Sequence, residues 1–130
     1  MGTTGDATVL PMTRTTDIDR EAVTSSYHAA DLAGITYRQL DYWARTGVVT
    51  PEHAGRGSGS ARRWTAHEVS LLAVVGRLAA LGLGRDVWIE AVEYLRTLPL
   101  AWWPTELRVD LTGDDVVALV VNVAACVVDL

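Results

Sequence analysis

The chain has one cysteine, Cys126, so it can close no intrachain disulfide and build no cysteine zinc cluster. Its three histidines, His28, His53 and His67, lack the spacing of a metal site. No metal or cofactor is expected. Cys126 reads as a small core residue, with a redox or metal-sensing thiol as the alternative. Lysine is absent, and all eleven basic residues are arginine. No stretch reaches the about 20 apolar residues of a membrane helix. The N-terminus has no basic segment followed by an apolar run, so no signal peptide is expected. These absences place the protein in the cytoplasm, with no membrane partner. Enzyme signatures are missing too. Gly55 to Ser60 (GRGSGS) lacks the lysine and the helix of a phosphate-binding loop. No serine sits in a nucleophile elbow. Asp114 with Asp115, and Glu90 with Glu93, read as a turn and a solvated helix face rather than acid–base pairs. The expectation is that the protein is not an enzyme.

What is present suits one domain, or one domain with a small appendage: 130 residues, nearly half of them apolar. The net charge of -5 argues against binding nucleic acid through bulk charge, so its distribution matters more. Arg38, Arg45, Arg56, Arg62 and Arg63 cluster between Tyr27 and Glu68, where the only acids are Asp31, Asp41 and Glu52. The acidic excess lies in the flanks. Arginine suits bidentate contacts to phosphate or guanine. The plain alternative is an ordinary solvated surface.

Tyr27 to Gly47 reads as helix, tight turn, helix. Ala29, Ala30 and Leu32 give the first helix a short apolar face. Gly34 ends it, because glycine enters the left-handed conformation without strain. Ser25 or Ser26 caps its start, and Thr36 caps the second helix. Leu40 and Trp43 share the face that packs back. Arg38, Gln39, Asp41, Tyr42 and Arg45 lie outward, as on a helix presented to the major groove. Gly47 closes this helix. Val48 to Pro51 and Ala61 to Thr65 then read as two short strands around the glycine-rich tip, a two-stranded wing.

These residues carry a resemblance. LDYWARTGVV, followed by ARRWTAHEV and then RLAALGL, is similar to the DNA-binding domain of the MerR family of winged-helix regulators. It spans about Tyr27 to Gly84, roughly half of the chain. The resemblance implies that Tyr42, Arg45 and the wing residue Arg62 contact the DNA backbone. It puts Thr36, Tyr37 and Arg38 near the leading end of the recognition helix. Two residues depart from the family pattern. Asp41 stands where the family commonly has a basic residue; it would repel phosphate, but can accept a hydrogen bond from cytosine or orient a neighbouring arginine. Trp64 replaces a usual tyrosine and reads as a core residue at the wing base.

Thr65 and Glu68 form a T-x-x-E capping box for a third helix. Val69, Leu72, Val75, Leu78 and Ala79 recur at helical spacing, and Gly82 and Gly84 end the run. A fourth helix spans about Asp86 to Thr97, with Val87, Ala91, Tyr94, Leu95 and Leu98 on its apolar side. No heptad run follows, so the long dimer-forming coiled coil of many family members is missing. Leu107 to Leu111 alternates like a half-buried strand, Thr112 to Asp115 is a hairpin turn, and Val116 to Val121 and Val123 to Val128 fit two further strands. Asp114 as the cap of a buried helix is the alternative. Either the fourth helix with Trp88, Trp102 and Trp103, or the tail of a second chain, must cover this sheet.

The expected architecture is therefore α+β: a mostly helical winged helix-turn-helix with a short β-rich tail. Residues 1–24 form a flexible arm, 25–98 the DNA-binding domain, and 99–130 a candidate dimerisation unit. The expected function is sequence-specific binding of double-stranded DNA by a transcriptional regulator that is nucleoid-associated when bound. Thr36, Tyr37, Arg38 and Gln39 are the candidates for base edges. Tyr42, Arg45, Arg56, Arg62 and Arg63 are the candidates for phosphates or the minor groove. A two-fold homodimer joined by the tail would read a palindrome. The tail is too short to argue for a small-molecule effector domain. Two other readings stay open: an excisionase-like architectural DNA binder, and a protein-interaction module that has lost DNA binding.

Overall fold

The computed structural model describes residues 22–53, 61–114 and 117–130. Apart from residues 22–24, the arm expected at 1–24 lies outside them, as does the wing tip with Arg56. Among the described residues the order is β1 (Val23–Ser25), α1 (Ser26–Ala33), α2 (Tyr37–Arg45), β2 (Arg63–Thr65), α3 (Ala66–Ala80), α4 (Arg85–Arg96), β3 (Glu106–Asp110) and β4 (Ala118–Asn122). Short 3-10 turns at Leu100–Trp102 and Ala124–Cys126 flank the last two strands. This is a mostly helical α+β helix-turn-helix architecture with two small antiparallel strand pairs.

The helix ends follow local chemistry. Ser25 caps α1, accepting from the His28 N–H at 3.2 Å. Ser26 is instead buried and accepts the Trp64 indole N–H at 2.9 Å, which fastens β2 to α1. Gly34 takes φ +74° and closes α1. Both α2 and α3 start with complete capping boxes, Thr36 with Gln39 and Thr65 with Glu68.

The helix α3 is the centre of the core. Val69, Leu71, Leu72, Val74, Val75 and Leu78 are all buried, so more than one face is covered. α1 packs on one side of it and α4 on another. The approach of the α1–α2 turn is close. A Cβ at Gly76 would stand 2.5 Å from Ile35 Cγ2, so any larger residue there would force a shift.

Three local expectations change. Val48 to Pro51 does not form a strand: Val48 and Val49 are each 1% exposed, and two neighbouring side chains cannot both enter the core from a flat strand. The returning segment β2 pairs instead with β1, in the register Val23 with Thr65, Thr24 with Trp64 and Ser25 with Arg63. The wing ladder in the described residues is one bridge, His53 with Arg63. On α1, Leu32 is exposed and Ala33 packs inward. On α4, Val92 and Leu95 are the buried residues, while Tyr94 is 51% exposed. Val87, Ala91 and Tyr94 line a groove shared with β3.

The tail forms two strands, not three. β3 and β4 pair from Glu106 with Asn122 to Asp110 with Ala118, around a turn in which Gly113 has φ +81°. Residues 123–128, expected as a third strand, turn through a 3-10 helix and enter the core. Val123 and Cys126 are buried there beside Val121. The Val128 N–H donates to the Ser70 hydroxyl at 2.8 Å, and that hydroxyl donates to the Ala66 carbonyl. Of the two expected covers for the tail, its own helices therefore supply one. Burial pushes the Cys126 thiol up, against the opposing charge of Arg77. The tryptophans are not all core residues: Trp43 and Trp64 are buried, but Trp102 is 74% exposed. The Trp103 indole N–H donates to the Leu95 and Leu98 carbonyls, which ties the tail to the end of α4.

Candidate nucleic-acid interface

The nine residues of α2 make a rod about 14 Å long at 1.5 Å per residue. Leu40, Trp43 and Ala44 bury one side of it. Trp43 meets Trp88 of α4 edge-on at 5.5 Å. At its C-terminal end, Arg85 donates to the Thr46 carbonyl at 2.6 Å and to the Thr46 hydroxyl at 3.2 Å. A cation at this end also complements the helix dipole. The helix is thus pinned at its start by the capping box, along its back by two tryptophans, and at its end by Arg85.

The outward side of α2 carries the chemistry. Asp41 holds two arginines at once. Its Oδ2 accepts from Arg45 Nε at 2.9 Å, and its Oδ1 accepts from Arg62 Nη1 at 3.0 Å. The hydrogen bonds from Arg45 and then Arg62 hold the Asp41 carboxyl below its ordinary value, against a smaller opposing effect of desolvation. Arg45 remains 59% exposed, while Arg62 is only 13% exposed. The Arg45 guanidinium also lies 5.8 Å from the centre of the exposed Tyr42 ring. Asp41 thus orients neighbouring arginines, one of the two roles open to an acid at this position. The three side chains form a fork that joins α2 to the segment leading into β2.

The remaining candidates are distributed around this fork. Arg38 is exposed on α2. Thr36 Oγ1 and Gln39 Oε1 are engaged in the capping box, at 3.0 Å to the Gln39 N–H and 2.9 Å from the Thr36 N–H. Arg63 is exposed on β2 and donates to the Arg62 carbonyl at 3.1 Å. Arg38, Gln39, Tyr42, Trp43, Arg45, Ala79 and Trp88 line a shallow groove of about 540 Å³ along the flank of α2.

Two features escaped the sequence reading. Tyr27 of α1 is 63% exposed and stacks on Tyr37 with ring centroids 4.3 Å apart and planes inclined by 12°. Ten positions separate them, so no local spacing shows the stack. The clamp of Arg85 on Thr46 spans 39 positions and left no sequence signal either. By contrast, the Asp41–Arg45 half of the fork has the i, i+4 spacing of a helix ion pair.

Comparison with known proteins bears on this surface. Residues 25–86 match the family described as MerR HTH family regulatory protein. Over 69 residues, 52% of this chain, the sequence is 45% identical to an uncharacterized HTH-type transcriptional regulator of Mycobacterium bovis. The same identity and coverage hold for uncharacterized HTH-type transcriptional regulators from two strains of Mycobacterium tuberculosis. The matched segment is 31% of each relative, so the likeness spans about a third of the length of these curated proteins.

Proposed function

Since residues 25–86 make this chain a member of the MerR family of helix-turn-helix regulators, we propose that it regulates transcription by sequence-specific binding of double-stranded DNA. The observation that carries the reading is the Asp41 fork, which holds the exposed Arg45 and the half-buried Arg62 together beside a capped and buttressed helix. Ordering two arginines before binding reduces the side-chain entropy that association must overcome. The helix α2 enters the major groove. Tyr37 and Arg38 at its leading end read base edges, with Thr36 and Gln39 beside them. Gln39 contributes through its amide nitrogen, because its oxygen serves the cap. Arg45, Tyr42, Arg62 and Arg63 hold phosphates, and Arg56 does so from the wing tip. Two copies joined through the C-terminal tail present two such helices to a palindrome.

The test is fluorescence anisotropy against DNA from upstream of the protein's own gene, with excess random competitor, over a salt series. Saturable binding that survives competitor and weakens steeply with salt supports the reading. Arg38→Ala should then cost roughly 1–3 kcal/mol and relax one base position. Binding erased by competitor would leave only nonspecific affinity on that DNA. An absence of binding at low salt would favour a protein-interaction module.

A further inference from the structure

The two strands of the tail hairpin have unlike outer edges. β3 carries Glu106, Arg108 and Asp110, and its Leu107 to Asp110 line a groove with α4. β4 has the sequence ALVVN and no charge. No strand among the described residues pairs with its outer edge. Edge strands of soluble proteins are normally guarded by charge, proline or a bulge, and this one has no charge or proline.

The phase of the ladder shows which backbone groups that edge presents. The Leu111 N–H donates to the Val117 carbonyl, and the Val123 N–H donates to the Thr105 carbonyl. In an antiparallel pair, residues directed at the partner alternate with residues directed away. Val117, Leu119, Val121 and Val123 therefore bond toward β3. Ala118, Val120 and Asn122 turn their N–H and C=O groups away from β3; the Asn122 C=O also accepts a weak bond from the Cys126 thiol at 3.9 Å and keeps its second lone pair for the edge. Val120 is also 53% exposed, on the face opposite the buried Val121.

We propose that β4 pairs antiparallel with β4 of a second copy, centred on Val120, to give a four-stranded sheet across a two-fold axis. Val120 faces its own counterpart, and Ala118 faces the partner's Asn122. That register is self-complementary: every outward N–H meets an outward C=O, and no like charges meet. The side chains of the two Val120 residues then cover each other. The inference rests on the reading above that two copies bind a palindrome, and it names the seam between them.

The test is the mass of the full chain in solution as a function of concentration, without DNA. The expected result is a rise from the 14.1 kDa monomer toward twice that mass. Val120→Pro removes an outward donor that the chain's own ladder does not use, and should raise the dimer dissociation constant roughly tenfold or more. Val120→Lys, which keeps the N–H, should act in the same direction. The wild-type amides of Ala118, Val120 and Asn122 should gain protection from hydrogen exchange as concentration rises. A mass that stays at the 14.1 kDa of the monomer at every concentration would overturn the proposal. So would a dimer that both variants leave intact, or edge amides that exchange freely in it. Because no DNA enters these measurements, their failure is separable from a failure of DNA binding.

Discussion

Replacing Asp41 by asparagine keeps the shape of the fork and removes its negative charge. In the wild type, Arg45, Arg62 and Asp41 together present a net charge of +1, because one carboxylate answers two guanidinium groups. Each phosphate that a protein neutralises on B-form DNA contributes about 0.9 to the slope of log affinity against log salt. Asp41→Asn raises the local charge by one, so its slope on random DNA should steepen by up to about 0.9, with tighter binding at low salt. Arg62→Ala lowers the charge by one, and its slope should become shallower by about the same amount. The operator should behave differently. Without the carboxylate the two arginines are ordered only on binding, at roughly 0.5–1.5 kcal/mol for each side chain. Asp41→Asn should therefore lose discrimination between operator and random DNA, most visibly at high salt where the charge gain is screened. The assay is anisotropy on both DNAs over a salt series for the three proteins. An unchanged slope in Asp41→Asn, or shifts of the same sign in both variants, would refute the fork as a device for aiming arginines. The pH dependence has a definite sign. The hydrogen bonds from Arg45 and Arg62 hold the folded pKa of Asp41 below the ordinary aspartate value, so the fork is intact above that ordinary value and is lost only as pH falls through the lowered one. Its NMR titration should have a midpoint below that of an ordinary aspartate, and the midpoint should move up in Arg62→Ala.

Two further predictions concern what holds α2 in place. Gly76→Ala puts a methyl 2.5 Å from Ile35 Cγ2 and should cost about 1–3 kcal/mol of stability by overpacking, partly offset by the better helix propensity of alanine. Denaturant titrations of this variant, of Ile35→Ala and of the double variant should be non-additive, and additive costs would show that the crowding is relieved elsewhere. Val123→Ala removes fully buried surface in the tail and should cost about 1.5–3 kcal/mol, with one cooperative transition as measured by circular dichroism. A separate, earlier tail transition would show that residues 99–130 form their own unit.

Features held by neighbours in sequence were legible, and features held across the chain were not. The capping boxes at Thr36 and Thr65, the left-handed Gly34 and the inward pair Leu40 and Trp43 all follow from spacings of three or four residues or from a single backbone preference. β-Pairing depends on partners far apart. Arg63–Thr65 had a nearby candidate in Val48 to Pro51, but pairs with Val23–Ser25, some 40 residues away. Adjacent valines at 48 and 49 look like a strand by propensity, although both are needed in the core and neither alternates. The run Val123 to Val128 misleads in the same way. Val123 and Val128 of this run pack into the core, where a 3-10 turn also brings Cys126 inward, while Val127 is exposed. At the candidate interface, the exposed arginines on α2 and β2 were visible from the helical face and the expected wing. The carboxylate that joins Arg45 to Arg62, and the tyrosine stack beside them, needed the folded geometry.

The tail completes the covering of α3. A central helix with Ser70, Leu71, Val74 and Val75 all buried needs apolar cover on more faces than α1 and α4 supply. The tail supplies the remainder through Val121, Val123, Cys126 and the Ser70 clamp on Val128. The tail and the α1–α2 turn then act on the same element from different directions. The tail packs along α3, while the α1–α2 turn rests on α3 at Gly76, where there is no room for a methyl. A shift of α3 caused by loosening the tail must be felt at Ile35 and then at Thr36, the cap from which α2 starts. In a close-packed interior such a shift moves neighbours rather than being absorbed. The position of α2, and of the side chains it carries, therefore depends on the last ten residues of the chain.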